Sequence, residues 1–457
     1  MSLLARYCSL VEASNGLFAQ ARTALLSMEL SLAMPASVGR RTITNALSVL
    51  GRTGVDWSAA YKFFSRSRWD ETGRFRPVFE HYIEMFPTGP IAISVDDTKA
   101  HKVGKKIASA SYQRDPLSPP FHPNLIWAQR FIHFSLIFPL HRNGEVPARS
   151  LPVRFQDAPV LKKPGSRGSE QQWEAYRQQV KQTNLSAQAR TTAEEIRKHL
   201  DQLGQANRSL LLPVDGSFCN RRFFREPLDR TYILARARKD ARLCLPAPAG
   251  SRRRYDATLF TPEGVRKDDS IPWHKTTVFF GGKRRKIRFK VVNDVLWRRG
   301  AGLRHLRLIV LAPTPYRLSP NASTAYRDPA YLLTDDLTSS PSSLLQSYCD
   351  RWQIEVNHRE IKSYFGAGEA QVRATLSVPR VPAFVVSCYS LLHLAGLLEF
   401  GPSRTDHFTP LPKWRRPSSR PSIADLLRLL RTELNETRDS TFPVQIPAEI
   451  LVLSPAA

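Results

Sequence analysis

The chain has 457 residues, enough for two or three domains and a sizeable core. Lys and Arg number 67 against 40 Asp and Glu, and the resulting +27 charge runs through the whole sequence, which points to a polyanionic partner, most simply nucleic acid. Five cysteines, an odd number with no C-x-x-C pair, exclude a zinc site of that type and fit free thiols in a reducing compartment.

Residues 1 to about 80 read as helical. The first residues, MSLLARYCSLVEASNG, lack a charged segment followed by a long apolar one, so no secretory leader is expected. Ala21–Leu32 is rich in Ala and Leu before Pro35 interrupts, Arg40–Gly51 ends on a glycine, and Asp56 is an N-cap candidate for the next helix. That helix interleaves Tyr61, Phe63, Phe64 and Trp69 with Lys62, Arg66 and Arg68. The aromatics read as core, and the basic residues suit phosphates.

A strand is expected over Pro90–Val95, running into Asp96 and Asp97 at its carboxyl end, where ligands and metals collect in α/β sheets. HKVGKK (His101–Lys106) follows, then a proline-rich loop, then one or two buried strands in Ile126–Leu140. No G-x-x-x-x-G-K-[ST] occurs, so no nucleotide cofactor is expected. Gly168–Gly204 reads as charged helix. Ser209–Val214 is a second apolar strand leading into Asp215 and Gly216. About 140 positions then separate Asp215 from Glu355, more than a crossover helix needs, and much of that stretch reads as β. Thr276–Phe280 and Lys286–Val292 form a hairpin around Gly281-Gly282, with Lys286, Arg288 and Lys290 on one face. Such a face is either solvated or a contact for DNA.

Tyr348–Lys362, YCDRWQIEVNHREIK, reads as part of one helix with Ser340 as N-cap and Pro341 at its first position. Tyr348, Arg351, Glu355 and Lys362 fall within an arc of about 60°. Leu345, Trp352 and Val356 flank this polar stripe on one side, Ile354 and Ile361 on the other. An embedded helix with its polar stripe lining a cleft accounts for both flanks, and Trp352 reads as core. Val381–Leu398 has no Asp, Glu, Lys or Arg and just reaches membrane-spanning length, but Pro382, Ser387, Ser390 and His393 make it a buried core helix, so no membrane is expected. A basic, proline-rich linker and a last amphipathic helix at Ile423–Leu434 follow.

The spacing Tyr348, Arg351, Glu355, Lys362 is the Y-(2)-R-(3)-E-(6)-K pattern, and the chain resembles the bacterial insertion-sequence DDE transposases that carry it. The resemblance covers roughly residues 85 to 400. It implies an α/β fold, an RNase H-like catalytic domain over 81–400 with a β-rich insertion at about 225–315; the residues themselves add an N-terminal helical domain over 1–80 suited to DNA binding and a basic linker with a C-terminal helix over 401–457. It implies Asp97, Asp215 and Glu355 as catalytic metal ligands. Asp97 is selected because the family's first aspartate typically precedes a threonine or similar small residue; Asp96 stays open. Three carboxylates suit two Mg²⁺ or Mn²⁺ ions. Tyr348, Arg351 and Lys362 would hold phosphates, and Lys286, Arg288 and Lys290 would border the acidic cleft and grip the DNA backbone. The implied activity is metal-dependent cleavage at inverted-repeat transposon ends and strand transfer into target DNA, by a homodimer assembled on double-stranded DNA in the bacterial cytoplasm, associated with the nucleoid. The alternatives are a nuclease that cuts without transposing and a DNA-binding regulator. A regulator would need none of the three acids.

Overall fold

The computed structural model describes residues 1–437 apart from positions 55, 120, 143, 320–321 and 416–417; the remainder of the expected C-terminal segment, 438–457, lies outside them. Five helices come first: α1 (Leu3–Glu12), α2 (Ala21–Ala36), α3 (Ile43–Val49), α4 (Ser58–Ser65) and α5 (Arg76–Met85). Pro35 does not end α2 but sits in its last turn. A proline there leaves the carbonyl four residues back without its N–H, and the Tyr7 hydroxyl of α1 donates to that carbonyl, on Ser31, at 2.8 Å. Phe63, Phe64 and Trp69 are core, as their spacing suggests.

The sheet begins with β1 (Ile91–His101), β2 (Ser111–Arg114), β3 (Leu125–Phe138) and β4 (Arg149–Asp157). After α6 (Glu170–Thr183) and α7 (Leu185–Gln202) come β5 (Leu210–Val214), the short α8 (Arg221–Phe224) and β6 (Thr231–Arg236). β1 does not stop at the acidic pair. Antiparallel β3 pairs with it from Ile93 through His101, whereas parallel β5 leaves it at Val95, opposite Val214. Asp96 and Asp97 are therefore inside the ladder on one side and at the sheet margin on the other.

The stretch after β6 holds α9 (Pro262–Lys267), β7 (His274–Phe280), β8 (Lys283–Leu296), β9 (His305–Leu311), a small hairpin of β10 (Thr314–Tyr316) and β11 (Ala325–Arg327), and β12 (Ala330–Thr334). It extends the same sheet, whose order is β2-β3-β1-β5-β6-β12-β9-β8-β7, with β4 also on β3. Following the antiparallel pairings outward from β6, the Gly281-Gly282 turn comes to the same sheet margin as Asp96 and Asp215.

Four helices close the chain: α10 (Pro341–Asp350), α11 (Gln353–Ser363), α12 (Ser377–Phe400) and α13 (Ile423–Glu436). The apolar α12 is the core helix: 94 % of its most hydrophobic window is buried inside the fold. It packs against β4 and against α1, α2, α4 and α5, and one continuous hydrophobic core joins the N-terminal helices to the sheet.

Candidate active site

Ser340 caps α10 by accepting from Ser343 N–H, and Pro341 opens the helix. The expected single helix is in fact two. At Arg351–Trp352 the ladder tightens: Trp352 N–H donates to Cys349, Ile354 N–H to Arg351 and Glu355 N–H to Trp352, at 3.0–3.3 Å. These are three-residue steps, a local 3₁₀ turn. The turn swings Trp352 outward to 53 % exposure, so it is not core. Leu345, Ile354 and Ile361 are fully buried and anchor the two helices on the sheet.

Strand alternation sorts the acidic pair. Val95 pairs with Val214, so Asp96 and Asp215, each one residue on, turn to the same face. That is the face carrying α10 and α11. Asp96 also pairs with His133 of β3, whose ring lies 5.1 Å from that of His358 on α11. Asp97 pairs with Ile132 and turns to the other face. The group that comes together is Asp96, Glu355 and His358, with one potential ligand atom from each within 4.8 Å of the others. The geometry brings Asp96 into this group and leaves the expected first ligand, Asp97, outside it: the threonine after Asp97 says nothing about which face each carboxylate takes. Asp97 reaches the rim of the same cleft, near Arg130, Lys99, Asp215 and Lys362. Asp215 stands beside Asp96 in register, and its carboxylate accepts from Ser217 N–H and Oγ–H at 2.8 and 2.6 Å.

The cleft has a volume of about 810 Å³ and is lined by Asp96, Asp97, Glu355, His358 and Lys362 among others. Its charges are poorly satisfied. Burial, then the negative charges of Asp215 and Glu355, push the Asp96 carboxyl well above the usual carboxylate range, and Arg351 only partly offsets this. Arg351 Nη1 is 3.9 Å from both Asp96 Oδ2 and Glu355 Oε1, too far to hydrogen-bond. Its Nε and Nη1 are buried without partners, and its guanidinium lies 5.8 Å from the Tyr348 ring. Burial also lowers the Lys362 amine, against the pull of Glu355 and Asp97. Burial, with Lys362 and Arg351, holds the His358 imidazole down to about 3, so it is neutral and able to ligate. Crowded carboxylates beside a neutral imidazole fit a divalent cation, and buried guanidinium N–H groups without acceptors fit a phosphate oxygen.

Sequence reasoning missed His358. The signal was present, because Glu355-x-x-His358 puts two ligand types on one helical face. The base of α11 is tightly held. Asn357 Nδ2 donates to Ser135 Oγ and Ser150 Oγ at 2.7 and 3.0 Å. Tyr389 OH joins Asn357 to Glu360. Burial would raise Glu360, but hydrogen bonds and charge from His393, Arg149 and Tyr389 hold it down to about 2. On α10, the Gln346 amide accepts from Phe279 N–H at 2.7 Å and donates to Phe279 C=O at 3.1 Å, covering the edge of β7 at that residue, and also donates to Asp350, which pairs with His141 at 2.8 Å.

On the hairpin, Lys286 and Arg288 are exposed, but Lys290 is completely buried. Its ammonium donates to the carbonyls of Val265, Arg266 and Asp268 at the end of α9. Lys290 is therefore a helix cap, corrected from a backbone-gripping residue: the alternation gives its face, and α9 covers that face at this depth.

The family model of DDE superfamily endonucleases matches residues 14–301, which include Asp96, Asp97 and Asp215 and stop short of α10 and α11. The chain belongs to the DDE superfamily endonucleases: it is a nuclease-type enzyme of a family that uses divalent metals and acts on DNA. A search of curated proteins gives no match.

Proposed function

We propose that the protein is a cut-and-paste DNA transposase of the insertion-sequence class with the Y-(2)-R-(3)-E-(6)-K helix. It cleaves DNA at transposon ends and joins them to target DNA, acting as a homodimer on double-stranded DNA in the bacterial cytoplasm. The observation that carries this is the convergence of Asp96 from β1 with Glu355 from α11, next to Arg351 and Lys362. The strand arrangement supports an RNase H-like catalytic domain: β4, β3 and β1 are antiparallel, and β5 and β6 continue parallel to β1. Divalent ions, Mg²⁺ or Mn²⁺, would be held by Asp96, Asp215, Glu355 and His358, and when bound they activate the attacking hydroxyl and stabilise the leaving oxygen. The chain's own cations do the rest. Arg351 offers two unpaired nitrogens, Nε and Nη1, to the scissile phosphate or its neighbour, Tyr348 supports the guanidinium, and Lys362 adds charge at the cleft wall. Lys286 and Arg288 stand on a hairpin whose tip shares the acidic margin of the sheet, which supports a backbone contact further along the duplex.

The test uses the DNA flanking the coding sequence as substrate. Purified protein with Mg²⁺ or Mn²⁺ should nick at the inverted repeats and join the ends to a target plasmid. Cleavage without joining would leave a nuclease. Binding without cleavage, unaltered by Glu355→Gln, would leave a regulator.

A further inference from the structure

His358 is 8 % exposed, and neither of its ring nitrogens hydrogen-bonds to a described residue. Nε2 is fully buried without a partner. Nδ1 is 3.9 Å from Glu355 Oε2. A structural histidine at this depth bonds at least one nitrogen; this one has both free, and its ring lines the acidic cleft. Two ligands bound at about 2.1 Å to one ion lie roughly 3–4.2 Å apart, and the Nδ1–Oε2 separation falls inside that range. The ring also rests on a built support. His133 lies against it, Ser135 Oγ is 3.2 Å from His133 Nε2, and Asn357 holds that same hydroxyl from α11 itself. That contact limits how far the ring can turn away from the cleft.

We propose that His358 supplies a nitrogen ligand alongside Asp96 and Glu355, so that this position takes Mn²⁺ in preference to Mg²⁺. The inference rests on the metal-dependent reading above and sharpens it. Mg²⁺ takes oxygen ligands and keeps its waters, whereas imidazole suits the softer first-row transition metals. An all-carboxylate site would discriminate little between the two ions. A site with one imidazole discriminates by chemistry.

The experiment needs neither DNA nor turnover. Mn²⁺ alone is added to the full chain, and pulsed electron paramagnetic resonance looks for ¹⁴N coupling, while calorimetry measures Mn²⁺ and Mg²⁺ affinity. The wild type should show directly coupled nitrogen. His358→Gln should lose that signal and bind Mn²⁺ about tenfold more weakly, the lower end for disturbing a metal's surroundings, with Mg²⁺ affinity changed less than about twofold. Absence of nitrogen coupling in the wild type overturns the proposal even if the variant fails to fold. So does a signal that survives in His358→Gln, or an equal loss of both ions. Asp96→Asn and Glu355→Gln separate the two claims. If they too leave Mn²⁺ binding intact, the metal site itself is wrong; if they abolish it while His358→Gln is silent, only the nitrogen ligand is wrong.

Discussion

Two basic regions of this molecule meet the same sheet margin and treat charge in opposite ways. Under α11, Arg351 is buried with donors unfilled, and Asp96 is crowded by carboxylates. On the β7–β8 hairpin, charge is either left in water, as on Lys286 and Arg288, or fully satisfied, as on Lys290 with its three carbonyls. Burial alone does not mark function. A buried ion with its hydrogen bonds complete is architecture, and a buried ion left short of partners beside crowded carboxylates in a cleft is a candidate to meet a ligand.

The comparison breaks first at Arg351. Arg351→Ala should slow DNA cleavage by roughly 10²-fold, the scale for losing one preorganised donor to a developing charge. Because its donors are unpaired, and its charge only partly offsets the carboxylates, the same change should alter thermal stability little. A fall in stability with cleavage intact would make Arg351 a structural ion. Lys290→Met is the opposite case. It strands carbonyls at the end of α9 and should cost about 1–3 kcal/mol in chemical denaturation, with the salt dependence of DNA binding unaltered. A shallower salt slope in that variant would return Lys290 to the DNA-contacting set. The smallest effect is expected at the exposed pair. Lys286→Gln with Arg288→Gln should leave the melting temperature alone and lower the slope of log affinity against log salt by roughly 1.8, about 0.9 per phosphate contact. An unchanged slope would mean that this face is merely solvated.

Much of this was legible beforehand because it is local. Ser340 and Pro341 announce the start of α10, Gly281-Gly282 announces the hairpin, and the apolar residues beside the polar stripe announce an embedded helix. What was not legible depends on partners distant in sequence. Whether Asp96 or Asp97 faces α11 is set by the register of β1 with β3 and β5, which neither residue's neighbours encode. Alternation gave the face of Lys290 but not that α9 would cover it. The helical wheel assumed unbroken geometry through Arg351–Trp352, and the tightened turn there moved Trp352 from core to surface. His358 belongs to a different class: its spacing from Glu355 is readable in the sequence, but that its ring is buried without a partner depends on the packing of β3 against α11.

The register of β1 is the centre of this account, and one paired measurement tests it: single-turnover cleavage of end DNA by Asp96→Asn beside Asp97→Asn, each checked for folding. Asp96→Asn should lose roughly 10³-fold or more, and Asp97→Asn, which loses only a rim charge near Lys99, Arg130 and Lys362, under about tenfold. The reverse ranking would contradict the account, because it would move the catalytic carboxylate from the group of Asp96, Glu355 and His358 to the rim of the cleft.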